Sequence, residues 1–105
     1  MFVMGWIADY QHPQDFLDVL FHSGADSNYG KHSNAGLDAL LDSAAVEPDY
    51  ELSLARYWQV EQMLVDDAAC LPLMFGQNYI LVKPYIDGYE LNPMGFAMLK
   101  KVSIK

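Results

Sequence analysis

The sequence predicts an α+β fold whose elements run in the order strand, helices, strand, strand. Residues 2–8 form a short apolar run with aromatic content that ends at a turn, which suits a buried strand. The middle of the chain carries apolar residues at helical spacing. Residues 71–75 and 79–82 are again β-prone, and residues 102–104 are expected to form a final strand before a basic end.

The first helix is expected over Asp15–Phe21, directly after a turn that contains Pro13. Five of its seven residues are apolar, which favours packing of the helix against a core. Residues 22–34 are polar and rich in Ser, Gly and Asn, so they are predicted to form a loop.

The second helix is expected to begin after Asn34, whose side-chain oxygen can accept hydrogen bonds from the first free amides of a helix. Leu37, Leu40 and Leu41 then form an i, i+3, i+4 stripe that ends near Ala45. Pro48 interrupts this pattern, because proline cannot continue a helix.

A longer third helix is predicted from Glu51 to Asp67. The residues expected on its apolar face are Leu54, Tyr57, Trp58, Met63, Leu64 and Ala68, and those expected opposite are Arg56, Gln59, Gln62 and Asp66. We therefore interpret Tyr57 and Trp58 as part of the helix core rather than as a cofactor pocket.

Composition narrows the classes of function. The chain has 105 residues, of which 52% are hydrophobic, so it is one domain at most and can form a core. Its 14 acidic residues against 6 basic ones give a net charge of −8, which argues against a nucleic-acid partner. A single cysteine, Cys70, excludes an internal disulfide and is expected to be a buried small apolar residue.

Asp9 is the most informative single residue, because it stands at the end of the predicted first strand. In open α/β sheets, ligands bind at the carboxyl ends of strands, and a carboxylate there is well placed to meet a cationic ligand. The local pattern leaves an alternative open, in which Asp9 only caps the turn before Pro13.

Other chemistry-bearing residues predict neither a metal site nor an enzyme. The spacings of His12, His22 and His32 match no compact zinc pattern, so we interpret them as surface histidines. Ser23 and Asp26 lie close to His22, but no nucleophile elbow accompanies them, which argues against a hydrolase. We expect no cofactor and no metal ligands.

A long connection over residues 84–95 contains two prolines and two glycines. Such connections usually lie across a larger body that supplies their contacts. We therefore expect the chain to be the end of a longer protein.

Five stretches, taken together and in order, resemble a known family. The quoted residues are Trp6-Ile7-Ala8-Asp9-Tyr10 with Pro13 and Phe16-Leu17, Asn34 to Leu41, Arg56 to Asp67, Leu71-Pro72-Leu73, and Leu81-Val82-Lys83-Pro84 with Gly88-Tyr89. They resemble the W-x-A-D-Y-x-x-P-x-x-F-L, N-P-E-x-D-x-L-L, R-x-x-x-Y-x-x-x-E-x-x-L, I-P-L and L-V-K-P-x-V-x-G-Y motifs of the oligopeptide- and dipeptide-binding family. These are extracytoplasmic solute-binding proteins of peptide-importing ABC transporters.

The chain departs from the family pattern at two places. Ala35-Gly36 replaces Pro-Glu, which should weaken the start of the second helix. Gln11-His12 stands where the family often has an acidic residue or Asn. Neither departure removes the resemblance, which covers nearly the whole chain.

The resemblance implies that residues 1–105 are a single C-terminal segment, part of one lobe of a two-lobed protein that closes around a ligand. It implies an extracytoplasmic location, a peptide ligand and delivery of that ligand to a membrane permease. Asp9 matches the carboxylate that binds the ligand's α-amino group, Trp6 matches an aromatic of the cleft wall, and the backbone near Ile7 matches the strand that pairs with an extended ligand.

Two alternatives remain: a stand-alone interaction domain, and a parent protein that binds a non-peptide solute such as an oligosaccharide. The remainder of the parent chain would be the partner of the first strand and of the connection over residues 84–95. Without that partner, these segments expose unpaired edges and apolar patches, so we expect self-association.

Overall fold

The protein is described by a computed structural model that covers residues 1–105. It contains three α-helices, α1 (Gln14–Phe21), α2 (Ala35–Ala45) and α3 (Tyr50–Asp66), two short strands, β1 (Ile86–Asp87) and β2 (Ser103–Ile104), and a 3-10 helix at Leu99–Lys101. The small α+β fold is confirmed. The chain divides into two compact units, Met1–Pro72 and Leu73–Lys105.

The helices begin where the sequence supplies side-chain caps. The Asn34 side chain accepts hydrogen bonds from the backbone N–H groups of Gly36 at 3.0 Å and Leu37 at 3.2 Å, which confirms it as the N-cap of α2. Asp49 caps α3 by accepting from the N–H of Leu52 at 3.1 Å. Each cap satisfies amides that a helix leaves free in its first turn.

The core of the first unit lies between α2 and α3. Its buried residues are Leu37, Leu41, Ala44, Tyr57, Val60 and Leu64. Tyr57, Val60 and Leu64 follow one another at spacings of three and four, so they share one face of α3. The predicted positions of Tyr57 and Leu64 on the apolar face are confirmed, and Val60 belongs to the same face although it was not predicted there.

Trp58 was placed wrongly on the buried face. Its side chain is 65% exposed, because a residue next to Tyr57 on a helix lies about 100° around the axis from it. Ala68 is also exposed and lies beyond the end of α3 with φ of +50°. Cys70 is likewise exposed rather than buried.

The strands expected at residues 2–8, 71–75 and 79–82 are absent. Residues 1–9 and 70–82 take no part in any backbone–backbone hydrogen bond, and most of their side chains are exposed. A β-strand is stable only when a neighbouring strand pairs with it. These segments have no such neighbour in this chain, so their β-prone composition produces no sheet.

The second unit contains the only sheet. β1 pairs antiparallel with β2, with Ile86 opposite Ile104, so the expected final strand is confirmed over Ser103–Ile104. β1 was not predicted, and it lies inside the expected connection over residues 84–95. Gly88 follows β1 with φ of +71°, and a Cβ atom there would collide with the backbone oxygen of Lys101.

No helix of the structure combines the length and the hydropathy that crossing a membrane requires.

Candidate functional site

Asp9 lies in a segment that is joined to the start of α1. Its backbone N–H donates a hydrogen bond of 2.8 Å to Oδ2 of Asp15. Its own carboxylate is exposed and makes no hydrogen bond or ion pair within the chain. A free carboxylate on an anchored backbone is available to a ligand cation.

Trp6 is joined to the same acceptor. Its indole Nε1–H donates to Oδ2 of Asp15 at 3.3 Å, and the residue is half-buried. Ile7, between the two anchored residues, is 73% exposed and makes no hydrogen bond. The Trp6 side chain and the Asp9 backbone therefore both bind the side chain of Asp15, whereas the backbone of Ile7 makes no hydrogen bond.

Asp15 is a further candidate for the site that the sequence did not predict. It is 1% exposed, lies in the first turn of α1, and has no cationic side chain paired with it. A buried carboxylate needs hydrogen-bond donors, and here the Asp9 amide and the Trp6 indole supply them. The signal in the sequence was an acidic residue two positions after Pro13, where a helix N-terminus favours negative charge.

The turn before α1 does not use the Asp9 side chain. Its hydrogen bonds run from the N–H of His12 to the carbonyl of Tyr10 at 3.0 Å and from the N–H of Gln14 to Nδ1 of His12 at 3.2 Å. The interpretation of Asp9 as a turn cap therefore finds no support in the hydrogen bonds of this segment.

Negative charge collects around this segment. Partial burial is the largest cause that raises the pKa of the Tyr10 phenol, and the charges of Asp15, Asp18 and Asp9 raise that pKa further. Three carboxylates that act on one phenol define a region of negative potential, which favours a cationic group over an anionic one.

An open cleft of about 430 Å³ adjoins Tyr10. The aromatic rings that line it belong to Tyr10, His12, Tyr50 and Tyr57. His12 and Tyr57 meet edge to face, with 5.3 Å between ring centroids, and the buried Tyr57 hydroxyl has no hydrogen-bond partner. This cleft lies in the same unit as Asp9 and is separate from the Asp15 contacts.

The three histidines lie apart and each has its own partner. His12 packs on Tyr57, His22 lies beside Asp42 with its Nε2 at 3.3 Å, and Nε2 of His32 lies 3.3 Å from Asp67. None of the histidine side chains is fully exposed, and that of His32 is only 16% exposed. No group of three or more His, Cys, Asp or Glu residues is arranged to hold a metal ion.

Comparison with known proteins gives relatives that cover most of the chain. It is 27% identical over 97% of its length to a probable di/tripeptide-binding protein of Pseudomonas aeruginosa. It is 35% identical over 81% of its length to a periplasmic oligopeptide-binding protein of Salmonella typhimurium. It is 34% identical over 95% of its length to a probable deoxycholate-binding periplasmic protein of Escherichia coli. No family model matches the chain.

The matches cover only part of each relative. The chain spans 20%, 16% and 19% of the lengths of these three proteins, respectively. The resemblance found in the motifs is confirmed, as is the expected extracytoplasmic location, since several relatives are named as periplasmic proteins. The ligands in their names differ, so similarity alone does not fix the ligand.

Proposed function

We propose that this chain, which is related over most of its length to the periplasmic di- and oligopeptide-binding proteins, is a C-terminal segment of a longer protein that captures peptides. The parent protein would close its two lobes around the peptide and deliver it to the membrane permease of an ABC transporter. The relatives named as peptide-binding proteins support this proposal. A binding role, rather than an enzymatic one, is consistent with those names.

The observation that carries the proposal is the exposed, unpaired carboxylate of Asp9 on a backbone that Asp15 anchors. A peptide offers a free α-ammonium group, which such a carboxylate would bind in a charge-assisted hydrogen bond. Trp6 would form part of the cleft wall, and the unpaired backbone at Ile7 would pair with the extended peptide. Main-chain pairing accepts any peptide sequence, whereas one carboxylate fixes the amino end.

The exposed apolar residues of the second unit support the proposal that this chain is part of a longer protein. Its segment over residues 73–82 forms no backbone–backbone hydrogen bond, and it exposes Phe75 and Leu81 almost completely. Contiguous apolar surface of this kind marks an interaction site. We propose that the remainder of the parent chain covers it, since the relatives are about five times as long as this chain.

The test is a double-mutant cycle on the full-length parent protein. Asp9→Asn keeps the shape of the side chain and removes its charge, and N-acetylation removes the charge of the peptide's amino end. A hydrogen bond to a charged group contributes about 1.5–3 kcal/mol, so Asp9→Asn should weaken binding of a free-amine tripeptide about tenfold to a hundredfold. Calorimetry should show little effect of the same substitution on the N-acetylated tripeptide.

The matched control is Asp26→Asn, which makes the same charge change at an exposed carboxylate in the loop after α1 and should leave both affinities unchanged. Coupling between Asp9→Asn and the acetyl group supports the proposal. Additive effects of the two changes would overturn it, because the Asp9 carboxylate would then not contact the amino end of the peptide.

The second candidate function is capture of a non-peptide solute, which the relative named as a probable deoxycholate-binding protein favours. Deoxycholate carries a carboxylate, which Asp9, Asp15 and Asp18 would repel. Under this alternative, Asp9→Asn should strengthen binding of deoxycholate to the parent protein, and the free-amine peptide should not bind measurably.

A further inference from the structure

We propose that Asp15 is a positioning residue of the ligand site, which holds Asp9 and Trp6 in a single geometry and adds a second negative charge beneath the ligand's ammonium. This inference rests on the proposed function of Asp9. It assigns to the site a residue that lies on a different element, in the first turn of α1.

The first support is that Asp15 alone anchors the segment. The bonds from the Asp9 amide at 2.8 Å and from the Trp6 indole at 3.3 Å are the only hydrogen bonds that residues 1–9 make. Both end on the same oxygen, Oδ2, so one side chain sets the distance between the aromatic ring and the backbone that carries the ligand carboxylate. Without Asp15, no hydrogen bond would fix this geometry.

The second support is the charge of Asp15. The residue is 1% exposed, and no Lys, Arg or His forms an ion pair with it. A buried charge without a cationic partner costs free energy, of which a helix N-terminus offsets a part. A neutral acceptor such as Asn would hold the same two donors at a smaller desolvation cost. Asp15 therefore has no positive charge beside it in this chain, and a ligand cation at Asp9 would supply one.

The third support is the sign of the local potential. Asp15, Asp18 and Asp9 all act on the Tyr10 phenol next to the site, and they raise its pKa beyond the larger effect of partial burial. Asp15 thus acts on a neighbouring exposed side chain in the same direction as Asp9 and Asp18 do. An ammonium at Asp9 would meet the combined field of these carboxylates.

The experiment uses the full-length parent protein and calorimetry with one free-amine tripeptide and its N-acetylated form. Asp15→Asn is the main variant, because it removes the charge and retains one acceptor oxygen. We expect it to weaken binding of the free-amine peptide by at least about threefold, a size typical of residues that couple through contact. Binding of the N-acetylated peptide should change little.

Two matched variants separate position from charge. Trp6→Phe removes one of the two hydrogen bonds and no charge. Asp18→Asn removes a nearby charge, and its hydrogen bond comes from the Gln14 side chain rather than from residues 1–9. If both the anchoring and the field matter, Trp6→Phe should weaken both peptides moderately, and Asp18→Asn should weaken the free-amine peptide less than Asp15→Asn does.

The decisive comparison repeats Asp15→Asn in an Asp9→Asn background. If Asp15 acts in part through Asp9, its substitution should weaken the free-amine peptide less in this background than in the wild type, so that the two substitutions are non-additive, and the remaining effect is that of the Asp15 charge itself. Equal weakening of both peptides by Asp15→Asn would make Asp15 a structural residue and overturn the inference. If Asp9→Asn discriminates between the peptides and Asp15→Asn does not, the proposed function stands and this inference fails. If Asp9→Asn does not discriminate, both fail.

Discussion

Residues 14–69 carry the three helices, whereas the segments at residues 1–9 and 70–82 form no regular structure although they are richer in apolar residues. In the helices, each backbone group finds its partner a few residues away in the same segment. Residues 1–9 and 70–82 form no backbone–backbone hydrogen bond at all. The difference teaches that a helix carries its hydrogen-bond partners within its own sequence, whereas a strand depends on another part of the fold.

The burial of apolar side chains also differs between the helices and the two unpaired segments. Every buried hydrophobic residue of the chain belongs to a helix. Phe75 and Leu81, in contrast, are fully exposed although they are as apolar as the core residues. Hydrophobic content therefore indicates what must be covered, and the available neighbours decide whether it is covered in this chain.

The largest effect that tests this comparison is a substitution in the helical core. Leu64 is 3% exposed and lies in the cluster between α2 and α3, so Leu64→Ala should lower the free energy of unfolding of the chain by about 2–5 kcal/mol. The matched change Leu81→Ala alters a fully exposed side chain and should stay within about 0.5 kcal/mol. Urea unfolding of the chain and the two variants measures both values.

Equal losses for Leu64→Ala and Leu81→Ala would contradict the division between covered and uncovered regions. The parent protein sharpens the test, because the proposed cover over residues 73–82 would bury Leu81 there. Leu81→Ala should then destabilise the parent and remain nearly neutral in the 105-residue chain.

A second prediction concerns the apolar segment of the second unit. Unpaired backbone and exposed apolar side chains invite pairing with another chain, so we expect the 105-residue chain to self-associate. Sedimentation velocity at several concentrations should show a rising mean mass. Phe75→Lys and Leu81→Lys should reduce that rise, because charge on an exposed edge opposes pairing.

Trp58→Lys is the control for this experiment. It adds the same charge at an exposed aromatic residue of α3, where the backbone is already paired within the helix. It should therefore leave the association largely unchanged. A chain that stays monomeric at every concentration would contradict the prediction.

The sequence predicted the helices well because their signals are local. The expected bounds Asp15–Phe21 and Glu51–Asp67 each differ from the observed α1 and α3 by no more than one residue at either end. The Asn34 cap was also identified, since it depends on the two amides that follow it. The strand at residues 2–8 could not be judged in the same way, because its formation depends on a partner that the sequence of this segment does not specify.

In the candidate site, too, the residues of a local motif could be predicted and a residue with more distant contacts could not. Asp9, Trp6 and Ile7 could be named because they form one contiguous motif, and their roles in binding stay predictions. Asp15 was expected only as the first residue of a helix and not as part of the site, because its contacts reach back six and nine residues through a turn. Its proposed role rests on burial and on a shared acceptor oxygen, neither of which composition or spacing reveals.

The smallest predicted effect is a pH dependence of the helical unit. The ring of His22 lies between acceptors, with Nδ1 at 3.1 Å from the Ser23 carbonyl and Nε2 at 3.3 Å from Oδ1 of Asp42. Only the doubly protonated ring can donate to both. The hydrogen bond to Ser23 is the largest cause that raises the pKa of His22; Asp42 and the charge of Asp38 add to it, while partial burial opposes it.

A raised pKa in the folded state fixes the sign of this dependence. The stabilisation is fully present below the unfolded pKa of 6.5 and is lost as the pH rises through the higher folded value. Asp38 titrates outside this pH range. Partial burial would raise its pKa, but hydrogen bonds from Ser23 and the histidine charges outweigh that effect and lower it, so its contribution is lost only on acidification below its ordinary value of 3.8.

The measurement is the free energy of unfolding of the chain at intervals from pH 5 to pH 8, for the wild type and for His22→Gln. Wild-type stability should decline between pH 6 and pH 8 relative to the variant, because His22→Gln cannot take up the proton. Asp42→Asn removes one of the acceptors and should reduce the decline without abolishing it. Contacts of His22 at the end of α1 would then contribute a small, pH-dependent part of the stability of the helices. The segments at residues 1–9 and 70–82 form no backbone–backbone hydrogen bond within the chain. Parallel curves for the wild type and His22→Gln would show that the contacts of His22 are too exposed to contribute.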